Sequence, residues 1–225
     1  SRGINSPAGF PGEFSPSTIL PLLGYDNSIT LAVGRHEEIA MQIEEAQREV
    51  RTRLMGGFAG QLVSGALWLA SAAVSTWGSR TAGMIVLFAG GFFIFPLTQL
   101  LIRLMGRSAK LSPENRLEHL GRQVAFTLPL TLPLVLAATL YDPNWFYPAF
   151  MIALGAHYLP FIFLYGMWQF GVLAGLLVGG GALLGLYGPD VFALGAWITG
   201  VVLVVFAVFS RSVVLSEERA SAPAA

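Results

Sequence analysis

The sequence predicts an all-α polytopic membrane protein, a bundle of six transmembrane helices preceded by a cytoplasmic amphipathic helix, and three observations lead there. The 225 residues are 54% hydrophobic and only 12% charged, with a mean hydropathy of +0.64. A soluble domain carries about twice that charge and could not hide so much apolar side chain in one core. Apolar runs recur along the chain, each near the roughly 20 residues that cross a hydrocarbon layer of about 30 Å. Basic residues collect on one side of the topology those runs imply. Composition also excludes classes of function. Thirteen Lys plus Arg balance thirteen Asp plus Glu, so no basic field points to nucleic acid. The absence of cysteine removes disulfides, thiolate metal sites and thiol nucleophiles together.

Residues 1–33 hold Pro7, Pro11, Pro16 and Pro21 among Gly and Ser without a sustained period, and are expected to form a flexible tail. They lack the basic start and apolar stretch of a signal peptide, and the Gly/Pro run to Phe14 is set aside from functional argument. Over 34–53 the character changes. Ile39, Ile43, Ala46 and Val50 recur at steps of four, three and four, a narrow apolar stripe on a helix. Glu44 with Arg48 and Glu49 with Arg53 are acid-then-base pairs at i,i+4. This reads as a solvated helix leading into the membrane, or as a handle for a protein partner. Four Arg against five Glu over 35–53 argue against docking on anionic lipid.

The six expected spans, together forming a transmembrane domain over 54–210, are Leu54–Trp77, Thr81–Leu104, Gln123–Leu140, Trp145–Tyr165, Met167–Tyr187 and Val191–Ser210. Residues 211–225 then form a C-terminal tail. Connections as short as YDPN and YGPD imply antiparallel neighbours, and only Gly106–Arg122 is a loop of any size. The boundary at Gly166 is the least marked. With six spans, twelve basic residues fall on the side of the termini and only Arg80 on the other, which orients both termini to the cytoplasm. Trp77, Tyr141, Trp145, Tyr147 and Tyr187 then fall near the outer interface, and Tyr165 with Trp168 near the inner one, as aromatic belts.

Polar groups at membrane depth are costly and default to functional candidates. Gln61, Gln99, His157, Tyr158 and Gln169 are the candidate ligand-binding residues, and no Asp or Glu lies inside a span. A general base at His157 would need an orienting partner and a nucleophile. The spans display neither, so no catalytic residue is assigned. His36 and His119 lie in the extramembrane segments, so no metal site and no cofactor are expected. Pro96, Pro129, Pro133 and Pro160 predict kinks, with Thr127 and Thr131 available to re-satisfy freed carbonyls. A cavity between kinked helices two, three and four near His157, Tyr158 and Gln99 is one outcome; bundle packing without a pocket is the other. Gly171, Gly175 and Gly179 recur every fourth residue, a spacing that lets helix backbones approach closely within the bundle or between copies. The Gly90-Gly91 and Gly180-Gly181 pairs, ninety residues apart, would also suit an inverted repeat.

The stretch WFYPAFMIALGAHYLPFIFLYGMW from Trp145 to Trp168, with FPLTQLLIRLMG from Phe95 to Gly106, resembles an uncharacterised family of small bacterial multi-pass membrane proteins. The shared element is Gly-Ala-His-Tyr-x-Pro-Phe, carried by Gly155, Ala156, His157, Tyr158, Pro160 and Phe161. The resemblance runs from the second span to the fifth and leaves out the charged helix. It implies a bacterial cytoplasmic-membrane protein and supplies no activity. Three functions remain in view: a permease-like or small-molecule or lipid-binding bundle with a cavity near His157; a non-catalytic structural or accessory subunit acting through helix packing and the 35–53 helix; and an intramembrane enzyme. The partners expected are the bilayer, a second copy of the chain, and a protein bound by the cytoplasmic helix.

Overall fold

Every regular element among the described residues is helical, and each boundary has a local cause. The computed structural model describes residues 42–220. The tail expected over 1–33, the helix start at 34–41 with Ile39, and residues 221–225 lie outside them. Helix α1 covers 42–53. A tight turn, Met55–Gly57, leads into α2, Phe58–Trp77. Then come α3, Arg80–Gly91, and α4, Ile94–Leu104. Next are α5, Leu117–Tyr141; α6, Phe146–Tyr158; and α7, Phe161–Tyr165. The chain continues as α8, Gln169–Tyr187, and α9, Leu194–Ala220. Residues from Glu44 onward form one compact unit.

Four helical stretches are long and apolar enough to cross a membrane: Met55–Trp77, Leu117–Tyr141, Gln169–Tyr187 and Leu194–Ala220. The pair α3 and α4 makes a fifth candidate, bent by 60°. Four helices, or five with the bent pair, thus meet that length and apolarity among the described residues, and the second and fourth expected spans are interrupted. The second expected span breaks at Phe92–Phe93, because Pro96 offers no N–H and its ring collides with the carbonyl four residues back. Gly90 and Gly91 weaken the helix just before that point. The fourth expected span breaks at Leu159–Pro160 and leaves only the five residues of α7. That helix ends in a Schellman closure, with the Gly166 N–H donating to Phe163 O and the Met167 N–H to Ile162 O. Gly166 sits there at φ 62°, which most side chains resist.

The third span behaves differently from its prolines' promise. Helix α5 stays continuous through Pro129 and Pro133, and the Thr127 and Thr131 hydroxyls donate to Val124 O and Leu128 O. Those are not the carbonyls of Ala125 and Pro129, which the prolines leave without a donor. The helix also starts earlier than expected, where the Asn115 side-chain oxygen accepts from the Leu117 N–H. At the other end of the chain, residues 211–220 continue α9 instead of forming a tail. Val214 is buried there.

Helix α2 packs most extensively on α9, and α6 on α8; α3 and α4 lie against α2, and α5 against α6. Small residues allow these contacts. A Cβ at Gly65 would come within 3.1 Å of Gly200 O, and one at Gly155 within 2.9 Å of Ala174 O. Trp68 joins the two pairs, its ring 5.4 Å from Phe150 and 6.0 Å from Tyr147. Trp77, Tyr141, Trp168 and Tyr187 are exposed. Tyr147 and Tyr165, expected in the interfacial belts, are buried in the bundle instead, because each packs in an aromatic cluster.

Candidate functional site

Helix α1 is fastened to the bundle by side chains on one of its faces. Val50 and the partly buried Ala46 turn the apolar stripe inward. Around it, Gln47 Nε2 donates to Phe163 O at 2.5 Å and Arg51 donates to Tyr165 O at 2.7 Å, so α1 holds the end of α7. Arg51 also pairs with Glu217 of α9 at 2.8 Å. The Glu49 carboxylate accepts from the Ser112 N–H and hydroxyl and from Asn115 Nδ2, at 2.7–2.8 Å. Asn115 Nδ2 donates to Ala46 O as well. Arg107 completes the ring, donating to Thr52 O and, through two nitrogens, to Glu218 at 2.9 and 3.0 Å.

The electrostatics of this ring follow from those contacts. Burial alone would raise the Glu49 carboxyl, but the hydrogen bonds from Asn115 and Ser112, with the charge of Arg53, outweigh it and hold the group below the ordinary carboxylate range. The hydrogen bonds from Arg107 lower Glu218 against the opposing effect of burial, and the same pair raises Arg107. Of the two expected i,i+4 pairs, Glu49 with Arg53 is present at a long 4.0 Å. Glu44, Glu45 and Arg48 face outward and are exposed.

Between α1 and α2 the backbone turns through three consecutive left-handed residues, Met55 (φ 51°), Gly56 (φ 61°) and Gly57 (φ 81°). Met55 is the one non-glycine with positive φ among the described residues. The turn is crowded: a Cβ at Gly56 would meet Ser210 O at 3.2 Å, and one at Gly57 would meet Gln61 Nε2 at 3.2 Å and Phe170 at 3.4 Å. Gln61 is buried with its Oε1 3.3 Å from the Ser210 hydroxyl, while its Nε2 has no partner among the described residues.

The other sequence candidates divide into separate places. His157 Nδ1 lies 2.8 Å from Thr127 Oγ1. That hydroxyl already donates to Val124 O, so it accepts from Nδ1–H and leaves Nε2 as the acceptor. The His157 ring packs on Phe161 and Tyr158, and Tyr158 stacks on Phe170. Gln99 is not brought to this group by helix packing: α4 lies against α2, where Thr98 faces Gly60, whereas His157 is on α6 against α5. A pocket shared by His157 and Gln99 therefore has no support in the packing. Gln169 is partly buried, with no partner for its Oε1 among the described residues. Gly171 touches Ile162, but nothing lies within 4 Å of a Cβ at Gly175 or Gly179. The helix packing expected along that row is done by Gly155, Gly181 and Gly65, because α8 turns the opposite face toward α6.

One polar network escaped the sequence reading. Tyr147 OH sits 2.7 Å from Ser71 Oγ and 2.6 Å from Ser75 Oγ, and Ser71 donates to Gly83 O. The i,i+4 spacing of the two serines was the available signal. Among the described residues no three of His, Asp and Glu converge as metal ligands.

Residues 43–212 match a family of unknown function, DUF7010. The chain belongs to that family. The DUF7010 match takes in α1 almost whole, together with the first and last apolar segments, and so reaches well beyond the second-to-fifth-span likeness expected from sequence. No curated protein and no solved structure matches the chain.

Proposed function

We propose that this chain crosses a bacterial cytoplasmic membrane six times, with both termini on the cytoplasmic side, and that it works without catalysis as an accessory subunit. The contacts support the crossings. Arg51, Tyr165 O, Arg107, Asn115 and Glu217 meet at one end. At the other end Arg80 reaches Asn144, and Trp77 meets Trp197. These contacts support apolar segments that run between the two ends, and Arg80 is the one cation of the described residues at the second; positive charge favours the cytoplasm.

The observation that carries the accessory reading is α1 itself. Its inner face is fixed by Gln47, Glu49 and Arg51, which leaves Glu44, Glu45 and Arg48 as a rigid charged surface. A preorganised surface binds at lower entropic cost than a loose tail. The test is cross-linking in native membranes of the wild type and of the Glu44→Lys, Glu45→Lys double variant. A discrete cross-linked partner lost in the variant, with unchanged thermal unfolding, is the expected result; a wild type without one refutes the reading.

Small-molecule binding beside His157 is the second reading, favoured by the acceptor at Nε2, which has no hydrogen bond among the described residues once Nδ1 is held by Thr127. A ligand adduct in native mass spectra of the wild type, absent in His157→Ala, would move the function there.

A further inference from the structure

At the α1 end of the bundle lies a cavity of about 220 Å³ lined by Met55, Met105, Arg107, Arg211, Val214 and Leu215. Four apolar side chains and two guanidinium groups face it, and among the described residues no carboxylate does. The two arginines differ. Arg107 gives three of its five donors to Glu218 and Thr52 O, so its charge is balanced by Glu218 and it serves as a fixed wall. Arg211 lies with its guanidinium 5.0 Å from the centroid of the Phe58 ring, and no ion pair joins it to a carboxylate among the described residues. It is a positioned cation with no carboxylate partner among the described residues.

We propose that this cavity holds the headgroup phosphate of an anionic membrane lipid, with Arg211 as its principal ligand. Charge complementarity and depth identify the occupant. Arg211 directly follows the apolar stretch of α9, Phe58 opens α2, and Met105 follows α4. The cavity therefore sits where three apolar segments give way to charge, which is the depth of lipid phosphates in a bilayer. Arginine offers the fork of donors that matches phosphate oxygens. A soluble phosphate would gain nothing from Met55, Met105, Val214 and Leu215, whereas glycerol and the first methylenes of a lipid would cover them. The space is below the roughly 300–1,000 Å³ of sites that enclose a whole drug-sized ligand, so it takes a headgroup while the acyl chains stay in the bilayer. The left-handed backbone at Met55, a costly conformation of the kind kept at binding sites, fixes one wall.

The inference rests on the membrane reading above and is independent of any protein partner. It is tested by native mass spectrometry of the full chain released from vesicles of phosphatidylcholine with one part in five phosphatidylglycerol, for the wild type and for Arg211→Gln, Arg211→Lys and Arg219→Gln. The expected result is a phosphatidylglycerol adduct that falls by about tenfold in Arg211→Gln, the loss of one charge-assisted contact. Arg211→Lys should retain part of it, and Arg219→Gln, which removes the same charge nearby, should keep it. No adduct in the wild type, or an adduct indifferent to Arg211→Gln, overturns the proposal. So does an equal loss in Arg219→Gln, which would mean diffuse attraction, or displacement of the lipid by millimolar inorganic phosphate. A dimer mass in place of the adduct would mean that a second copy covers the cavity. If the chain is not extracted with membranes at all, the membrane reading fails instead.

Discussion

Glu49 illustrates how much of this molecule turns on single side chains. In sequence it is one acid of an i,i+4 pair, a contact worth a few tenths of a kcal/mol. In the structure it receives three hydrogen bonds from Ser112 and Asn115, and its carboxyl is held below the usual range. A depressed carboxyl stabilises the state that depresses it at every pH above its unfolded value, and that stabilisation is lost as the pH falls through the lower folded value. The docking of α1 should therefore persist at neutral pH and loosen as the pH drops below the ordinary carboxylate value of 4.5. Hydrogen exchange of the α1 amides against pH would show it. Glu49→Ala should expose the same amides at pH 7, at a cost of roughly 1–3 kcal/mol for the donors left unpaired. Protection unchanged in that variant would mean that Arg51 and Gln47 suffice.

At the scale of helices, the glycines separate into two kinds that spacing does not distinguish. Gly155 faces backbone: a Cβ there would meet Ala174 O and Val178 N at 2.9 Å, and backbone cannot step aside. Gly155→Ala should lower stability by about 1–3 kcal/mol, read as a drop in the thermal midpoint in mild detergent. Gly175 belongs to a more regular row, yet a Cβ there would meet nothing within 4 Å among the described residues beyond its own helix. Gly175→Ala should stay within about 0.5 kcal/mol of wild type. Equal losses at the two positions would show that α8 is covered on its open face. Prolines divide in the same manner. Pro96 breaks its helix into α3 and α4, whereas Pro129 and Pro133 sit inside an unbroken α5.

For the whole molecule the absence of native cysteine is a convenience, since each introduced thiol reports alone. Cysteines at Ser108 and Ser216, both exposed at the α1 end, should be shielded from an impermeant thiol reagent in intact cells and react after the membrane is opened. Cysteines at Asn144 and Asp190, at the Arg80 end, should react from outside without opening it. Labelling of all four from one side would remove the six-crossing topology.

Composition and the recurrence of long apolar segments are properties summed over many residues, so the sequence by itself determined the all-helical class and the membrane-like character. The stripe of Ile43, Ala46 and Val50 likewise foretold α1, because amphipathic period is local. The tertiary structure alone decided what α1 is for. Ser112 and Asn115 are unremarkable loop residues until folding sets them against Glu49, some 63 and 66 positions away. It also set the helix of Gln99 against α2 and that of His157 against α5, and placed Arg211 beside a cavity no stretch of sequence outlines. Hydropathy and period measure how a residue meets water or lipid. Which side chains meet one another depends on helix rotation and crossing, set by contacts such as Gly65 with Gly200 that are distant in the chain.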